Sequence, residues 1–127
     1  MSPLYEILIL AIVFTLTDAI YLTSVASYFD GVIRRVQGAP LQLDIFATIL
    51  CYIFLVGGLY WFIIRERRSW IEAGLLGLVI YGVYETTTKA TLRAWDWTTV
   101  VMDTTWGAVL FMLSALFTYK LIGVPIK

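Results

Sequence analysis

Three acidic residues fall inside long apolar stretches of the sequence, where carboxyl groups are costly. Asp18 lies near the middle of the first stretch, Glu85 in the later half of the third, and Asp103 in the early part of the fourth. On insertion scales each charged residue costs about 2.5–3.5 kcal/mol at the centre of a membrane helix. We therefore expect all three to face the protein interior, where they could bind or conduct a proton, a cation or a small polar solute.

The spacing around Glu85 places further polar side chains on its helix face. Tyr81, Glu85 and Lys89 follow one another at intervals of four residues, and Thr88 shares that face. Glu85 precedes Lys89 in the favourable order for an ion pair. Because three carboxyls face one nearby ammonium group, at least one carboxyl is expected to be protonated near neutral pH.

The other two acidic residues also have polar or aromatic neighbours at helical spacing. Tyr21 follows Asp18 by three residues, and Trp106 follows Asp103 by three, which predicts that Trp106 lines a cavity wall. The candidate ligand- or proton-binding residues are therefore Asp18, Tyr21, Tyr81, Glu85, Thr88, Lys89, Asp103 and Trp106.

Two other functions remain open at this point. A carboxylate beside Lys89 could serve as a general acid or base in a lipid-linked intramembrane enzyme or its accessory. The acidic residues could instead form a structural network that locks helices together in a membrane assembly. No particular residue is indicated as catalytic, and whether the protein is an enzyme is undecided.

Composition argues against several kinds of site. The chain has no histidine and one cysteine, Cys51, so neither a metal site nor a cofactor is expected. The formal net charge is zero, and no basic run of the nucleic-acid-binding type occurs, so no nucleic-acid partner is expected. Membrane lipids are the expected surroundings of the chain.

The elements that carry these residues are predicted to be membrane helices. Of the 127 residues, 61% are hydrophobic and 14% charged, whereas soluble domains carry about 25% charged residues. The apolar stretches cover residues 4–26, 45–64, 71–92 and 98–122, each near the ~20 residues that cross a bilayer. The fold class is therefore all-α: one domain, residues 1–127, with four transmembrane helices in an antiparallel bundle.

An even number of spans puts both termini, Met1 and Lys127, on one side. That side carries five basic residues against three or four on the other, which favours cytoplasmic termini. All three acidic residues then lie in the half of the bundle away from the termini. Span two is apolar and is expected to pack from the outside, and either it or the Gly74/Gly77 surface is the expected contact of a homo-oligomer. Tryptophans near the span ends, such as Trp95, are expected at the headgroup level.

Three patches carry a family resemblance: residues 18–22 (DAIYL), 81–92 (YGVYETTTKATL) with Trp95, and 101–107 (VMDTTWG). Together they resemble the DUF2177 family of small integral membrane proteins from bacteria, algae and viruses. The resemblance implies a four-helix membrane protein of unknown function and points to the same acidic residues. It also implies asparagine at the position of Thr88 and an apolar residue at that of Lys89, so these two residues depart from the family pattern.

Overall fold

The structure, a computed structural model, describes residues 2–126, which form five helices joined by short connections. The helices are α1 (Pro3–Ser24), α2 (Ala26–Gln37), α3 (Ile45–Leu59, continued by a π-helical turn at Tyr60–Ile64), α4 (Trp70–Thr91) and α5 (Trp97–Ile122). No β-strand occurs within the described residues. The predicted all-helical class is therefore confirmed, whereas the terminal residues Met1 and Lys127 lie outside the described residues.

Three helices are long and apolar enough to cross a membrane: α1, α3 with its π-helical turn, and α5. The fourth predicted span is present as α4, which has 22 residues but is not among these three. Glu72, Glu85 and Lys89 lower its apolar character. Of the four predicted spans, three thus have the length and composition to cross a membrane, and the fourth, α4, is a less apolar helix that packs on α5.

Side-chain caps explain where several helices begin. The Asp44 side chain accepts a hydrogen bond from the Ala47 amide at the start of α3. At the start of α4, Ser69 accepts from the Glu72 amide while the Glu72 carboxylate accepts from the Ser69 amide. These bonds satisfy backbone donors that have no partner within the helix, as membrane surroundings require.

Glycine allows α4 and α5 to approach closely. A Cβ atom on Gly77 would lie 2.3 Å from the Gly107 carbonyl oxygen, and one on Gly74 would lie 2.5 Å from a Met112 side-chain atom. As residue numbers rise along α4 they fall along α5, so the helices are antiparallel. The Gly74/Gly77 surface is thus buried within the chain, and the expectation that it joins two copies is wrong for this surface.

The end of the bundle near the termini is held by polar contacts between distant segments. Arg67 donates two 2.8 Å hydrogen bonds to the two carboxylate oxygens of Glu6, whose side chain is only 5% exposed. These bonds raise the pKa of Arg67. Tyr119 donates its hydroxyl proton to the backbone oxygens of Arg68 at 2.6 Å and Ile63 at 3.2 Å. The connection between α3 and α4 is therefore tied to both α1 and α5.

An apolar layer separates this end from the carboxyl groups in the other half. Phe14 of α1 and Phe111 of α5 meet edge to face, with ring centroids 5.6 Å apart. Leu10 and Leu110 are, like both rings, fully buried. The acidic residues described below therefore lie on one side of a packed hydrophobic layer.

Candidate functional site

Asp18 of α1 accepts hydrogen bonds from two aromatic side chains on two other helices. The indole N–H of Trp106 on α5 lies 2.9 Å from one carboxylate oxygen, and the Tyr52 hydroxyl on α3 donates to the other. Asp18 is 6% exposed. A carboxylate buried in this way needs such donors, because an unpaired charge at this depth would be strongly unfavourable.

A stacked aromatic pair separates Asp18 from the other two carboxyls. The rings of Tyr21 and Trp106 are parallel within 5°, with centroids 4.5 Å apart. The Tyr21 hydroxyl donates to Asp103 across 3.3 Å. Trp106 donates to Asp18 and Tyr21 donates to Asp103, so the two stacked rings lie between these two carboxyls.

Glu85 and Asp103 form a carboxyl pair between α4 and α5. The Trp95 indole N–H lies 2.8 Å from Glu85 Oε1, and the Asp103 carboxyl on α5 is close enough for the two acidic groups to interact. Glu85 is 1% exposed. Because a carboxylate cannot donate a hydrogen bond, two carboxyls can bond to each other only when one carries a proton.

The three carboxyls do not converge on a common point. Within residues 2–126 no group of three acidic, histidine or cysteine side chains is placed to hold one metal ion. Nor does any described Lys or Arg form an ion pair with Asp18, Glu85 or Asp103. The hydrogen bonds that these carboxyls accept within the described residues come instead from neutral tryptophan and tyrosine side chains.

Helix α2 covers the site on the side opposite the termini. Val32 is fully buried and packs with Trp95 and Val100. Arg35 donates to Asp96 across 3.1 Å, and this loop carboxylate also accepts from the backbone and hydroxyl of Thr99. The hydrogen bonds from Thr99 hold the pKa of Asp96 below its usual range, with a smaller contribution from Arg35. Helix α2 is therefore attached to the start of α5 by the contact of Arg35 with Asp96, whose carboxylate stays ionised at neutral pH.

The comparisons with known proteins agree with this description. The profile of a family described as "Predicted membrane protein (DUF2177)" matches residues 4–120. The chain belongs to this family. No curated protein and no solved structure matches it.

This DUF2177 protein brings together only some of the candidate residues. Tyr81 packs its ring over Gly107, but its hydroxyl makes no hydrogen bond to a described residue. Thr88 donates to the Tyr84 carbonyl of its own helix across 2.7 Å. The predicted Glu85–Lys89 pair is absent from the described contacts, since the Lys89 ammonium group lies 5.8 Å from the Trp97 ring centroid. Lys89 thus reaches the protein surface, which avoids the cost of burying its charge.

Two residues of the DUF2177 site were missed in the sequence. Tyr52 belongs to span two, which is predicted to be apolar and external, yet its hydroxyl lies near the middle of that span and donates to Asp18. Trp95 was assigned to the headgroup level, but it is 5% exposed and bonded to Glu85. The tyrosine could have been found as a potential donor, whereas the burial of Trp95 depends on α2, which the loop sequence does not reveal.

Proposed function

We propose that this multi-pass membrane protein binds a proton between Glu85 and Asp103 and exchanges it with water on the side opposite the termini. The observation that carries the proposal is that Glu85 is 1% exposed, lies near the half-buried Asp103 and forms no ion pair with a described Lys or Arg. Two like charges close together in a low-dielectric region cannot both be ionised without a large cost.

The hydrogen bonds around the carboxyls limit the proposal to Glu85 and Asp103. Trp95 donates to Glu85 and Tyr21 donates to Asp103, so part of the accepting capacity of each carboxyl is already used within the protein. Asp18 lies beyond the Tyr21–Trp106 stack and accepts from the Trp106 indole and the Tyr52 hydroxyl, so it lies outside the proposed proton-sharing pair.

Counting protons during unfolding tests this proposal. If the pair shares a proton in the folded state, denaturation at neutral pH in weakly buffered detergent releases about one proton per chain to a pH-sensitive dye. Glu85→Gln removes this release, while Glu66→Gln, a change at the exposed surface pair with Arg65, leaves it intact. No release from the wild type contradicts the proposal.

A structural network is the second candidate, favoured by the donors that each carboxyl already has. In that function, Asp18, Glu85 and Asp103 fix the register of α1, α4 and α5 and bind nothing. Neutral substitutions at these positions are then tolerated or stabilising, because removing a buried charge eliminates its desolvation cost. The same titration distinguishes the two functions, since a purely structural network of ionised groups releases no proton.

Orientation and assembly complete the proposal. The basic residues favour cytoplasmic termini, which places the carboxyl groups in the half of the membrane away from the cytoplasm. With the Gly74/Gly77 surface buried, the outer face of α3 is the remaining candidate contact for a homo-oligomer. Reporter fusions at each terminus and native mass spectrometry from mild detergent test these two points separately.

A further inference from the structure

A long groove lies between α1 and α3, on the lipid-facing side of Asp18. Its volume is about 600 Å³, and its walls are mostly apolar. α1 contributes Ile7, Ala11 and Thr15, and α3 contributes Thr48, Tyr52 and Gly57 among others. Both helices are long and apolar enough to span the membrane, so the groove opens into hydrocarbon rather than water.

We propose that this groove binds one hydrocarbon chain of a bilayer lipid. This inference goes beyond proton binding and does not depend on it. The volume falls within the range of about 300–1,000 Å³ for small-molecule sites, which are mainly apolar with a few polar groups. A lipid chain is the molecule that the surroundings supply at this depth.

The groove is long enough to hold a lipid chain. Its α3 wall extends from Thr48 to Gly57, a distance of about 13 Å at the helical rise per residue. Its α1 wall reaches Ile7, four residues from the start of α1 on the side of the termini. Half of a hydrocarbon core of ~30 Å is about 15 Å, so the groove crosses the middle of the bilayer.

Gly57 keeps one wall of the groove open. A Cβ atom on Gly57 would meet no atom within 4 Å, whereas one on Gly77 would clash with the backbone of α5. A helix of a second copy is about 10–12 Å across, so only its side chains could enter the groove. A flexible hydrocarbon chain can fill the groove along its length, and we therefore assign the groove to lipid.

Occupancy of the groove would place the chain against Tyr52. This residue lines the groove and donates its hydroxyl proton to Asp18. The lipid chain therefore excludes water from that hydrogen bond on its membrane side. A change of the lipid in the groove therefore changes the surroundings of Asp18 directly.

Photolabelling in vesicles tests the proposal. The wild type is reconstituted in phosphatidylcholine that carries a diazirine within one acyl chain, and labelled residues are located by mass spectrometry. Both Ile53 and Phe54 are exposed, at 59% and 76%, but only Ile53 lines the groove. We expect several-fold stronger labelling at Ile53, because a chain held in the groove stays in contact longer than the surrounding lipid. Equal labelling of the two residues overturns the proposal.

Two phenylalanine variants provide the matched comparison. Gly57→Phe fills the groove and should reduce the labelling of Ile53 several-fold, whereas Gly58→Phe should not, because Gly58 does not line the groove. Both glycines have open space at the Cβ position, and circular dichroism checks that both variants keep their helices. Unchanged labelling in Gly57→Phe, or cross-links between two copies at Ile53 in place of lipid labelling, contradicts lipid binding.

Discussion

Replacing Gly77 by alanine adds a methyl group where α4 and α5 are closest. The new Cβ would lie 2.3 Å from the Gly107 carbonyl oxygen and 2.7 and 2.8 Å from two atoms of Phe111. One of these is a backbone atom and the others lie near the base of a buried ring, so none can move aside by rotating a flexible chain end. The helices must separate instead.

The size of the effect follows from the required movement. Ordinary contact begins near 3.4 Å, so α4 must move away from the Gly107 oxygen by about 1 Å. Overpacking of a close-packed interior costs about 1–3 kcal/mol. We expect Gly77→Ala to lower the free energy of unfolding by about 2 kcal/mol, because the shift also loosens the packing of Phe111.

Unfolding in mixed micelles with increasing sodium dodecyl sulfate, followed by circular dichroism, measures this change. Gly57→Ala is the matched control, since its Cβ would meet no atom within 4 Å. We expect the control to remain within about 0.5 kcal/mol of the wild type, as other substitutions without buried contacts do. Equal stability of Gly77→Ala and the wild type would refute the assignment of this helix interface.

Two further predictions concern polar contacts outside the carboxyl site. Glu6→Gln should destabilise the protein by about 1–3 kcal/mol in the same assay, less than for a fully buried pair because the Arg67 side chain is 37% exposed. Since the folded-state pKa of Asp96 is lowered, its stabilising contribution is present above the unfolded pKa of about 3.9 and is lost as the pH falls through the folded value. The amide resonance of Thr99 should therefore titrate with a midpoint below that of an unfolded aspartate.

Two results would contradict these predictions. Stability of Glu6→Gln equal to that of Glu66→Gln, which changes an exposed pair, would mean that the bond to Arg67 contributes nothing measurable. A Thr99 midpoint at or above about 3.9 would mean that the cap at Asp96 does not favour the ionised carboxylate.

The membrane class and the burial of Asp18 and Glu85 could be predicted from the sequence, because both follow from residue type and position along an apolar stretch, whereas Asp103 is only half-buried. The helical bounds in the sequence differ from the structure by a few residues, since caps such as Ser69 and Asp96 determine the first turn. The sequence led us to assign the charged residues of α4 to a polar site, but these residues also make this helix less apolar than the other three predicted spans. The DUF2177 membership agrees with the resemblance but adds no reaction.

The partners of the carboxyls were harder to predict. Glu85 and Lys89 have the right spacing for a pair, but such a pair contributes only about 0.2–0.5 kcal/mol, which does not offset burial of the ammonium group. The contacts of Glu85 with Trp95 and of Asp18 with Tyr52 join different helices. They depend on packing and rotation of helices, which helical spacing within one segment does not determine.

Infrared spectroscopy of the protein in lipid vesicles tests most directly whether Glu85 and Asp103 share a proton. At neutral pH the wild type should show the C=O stretching band of a protonated carboxyl, shifted in deuterated water. Glu85→Gln and Asp103→Asn should each remove this band, whereas Glu66→Gln should retain it. Absence of the band from the wild type, or its persistence in both site variants, would contradict a proton shared by this pair.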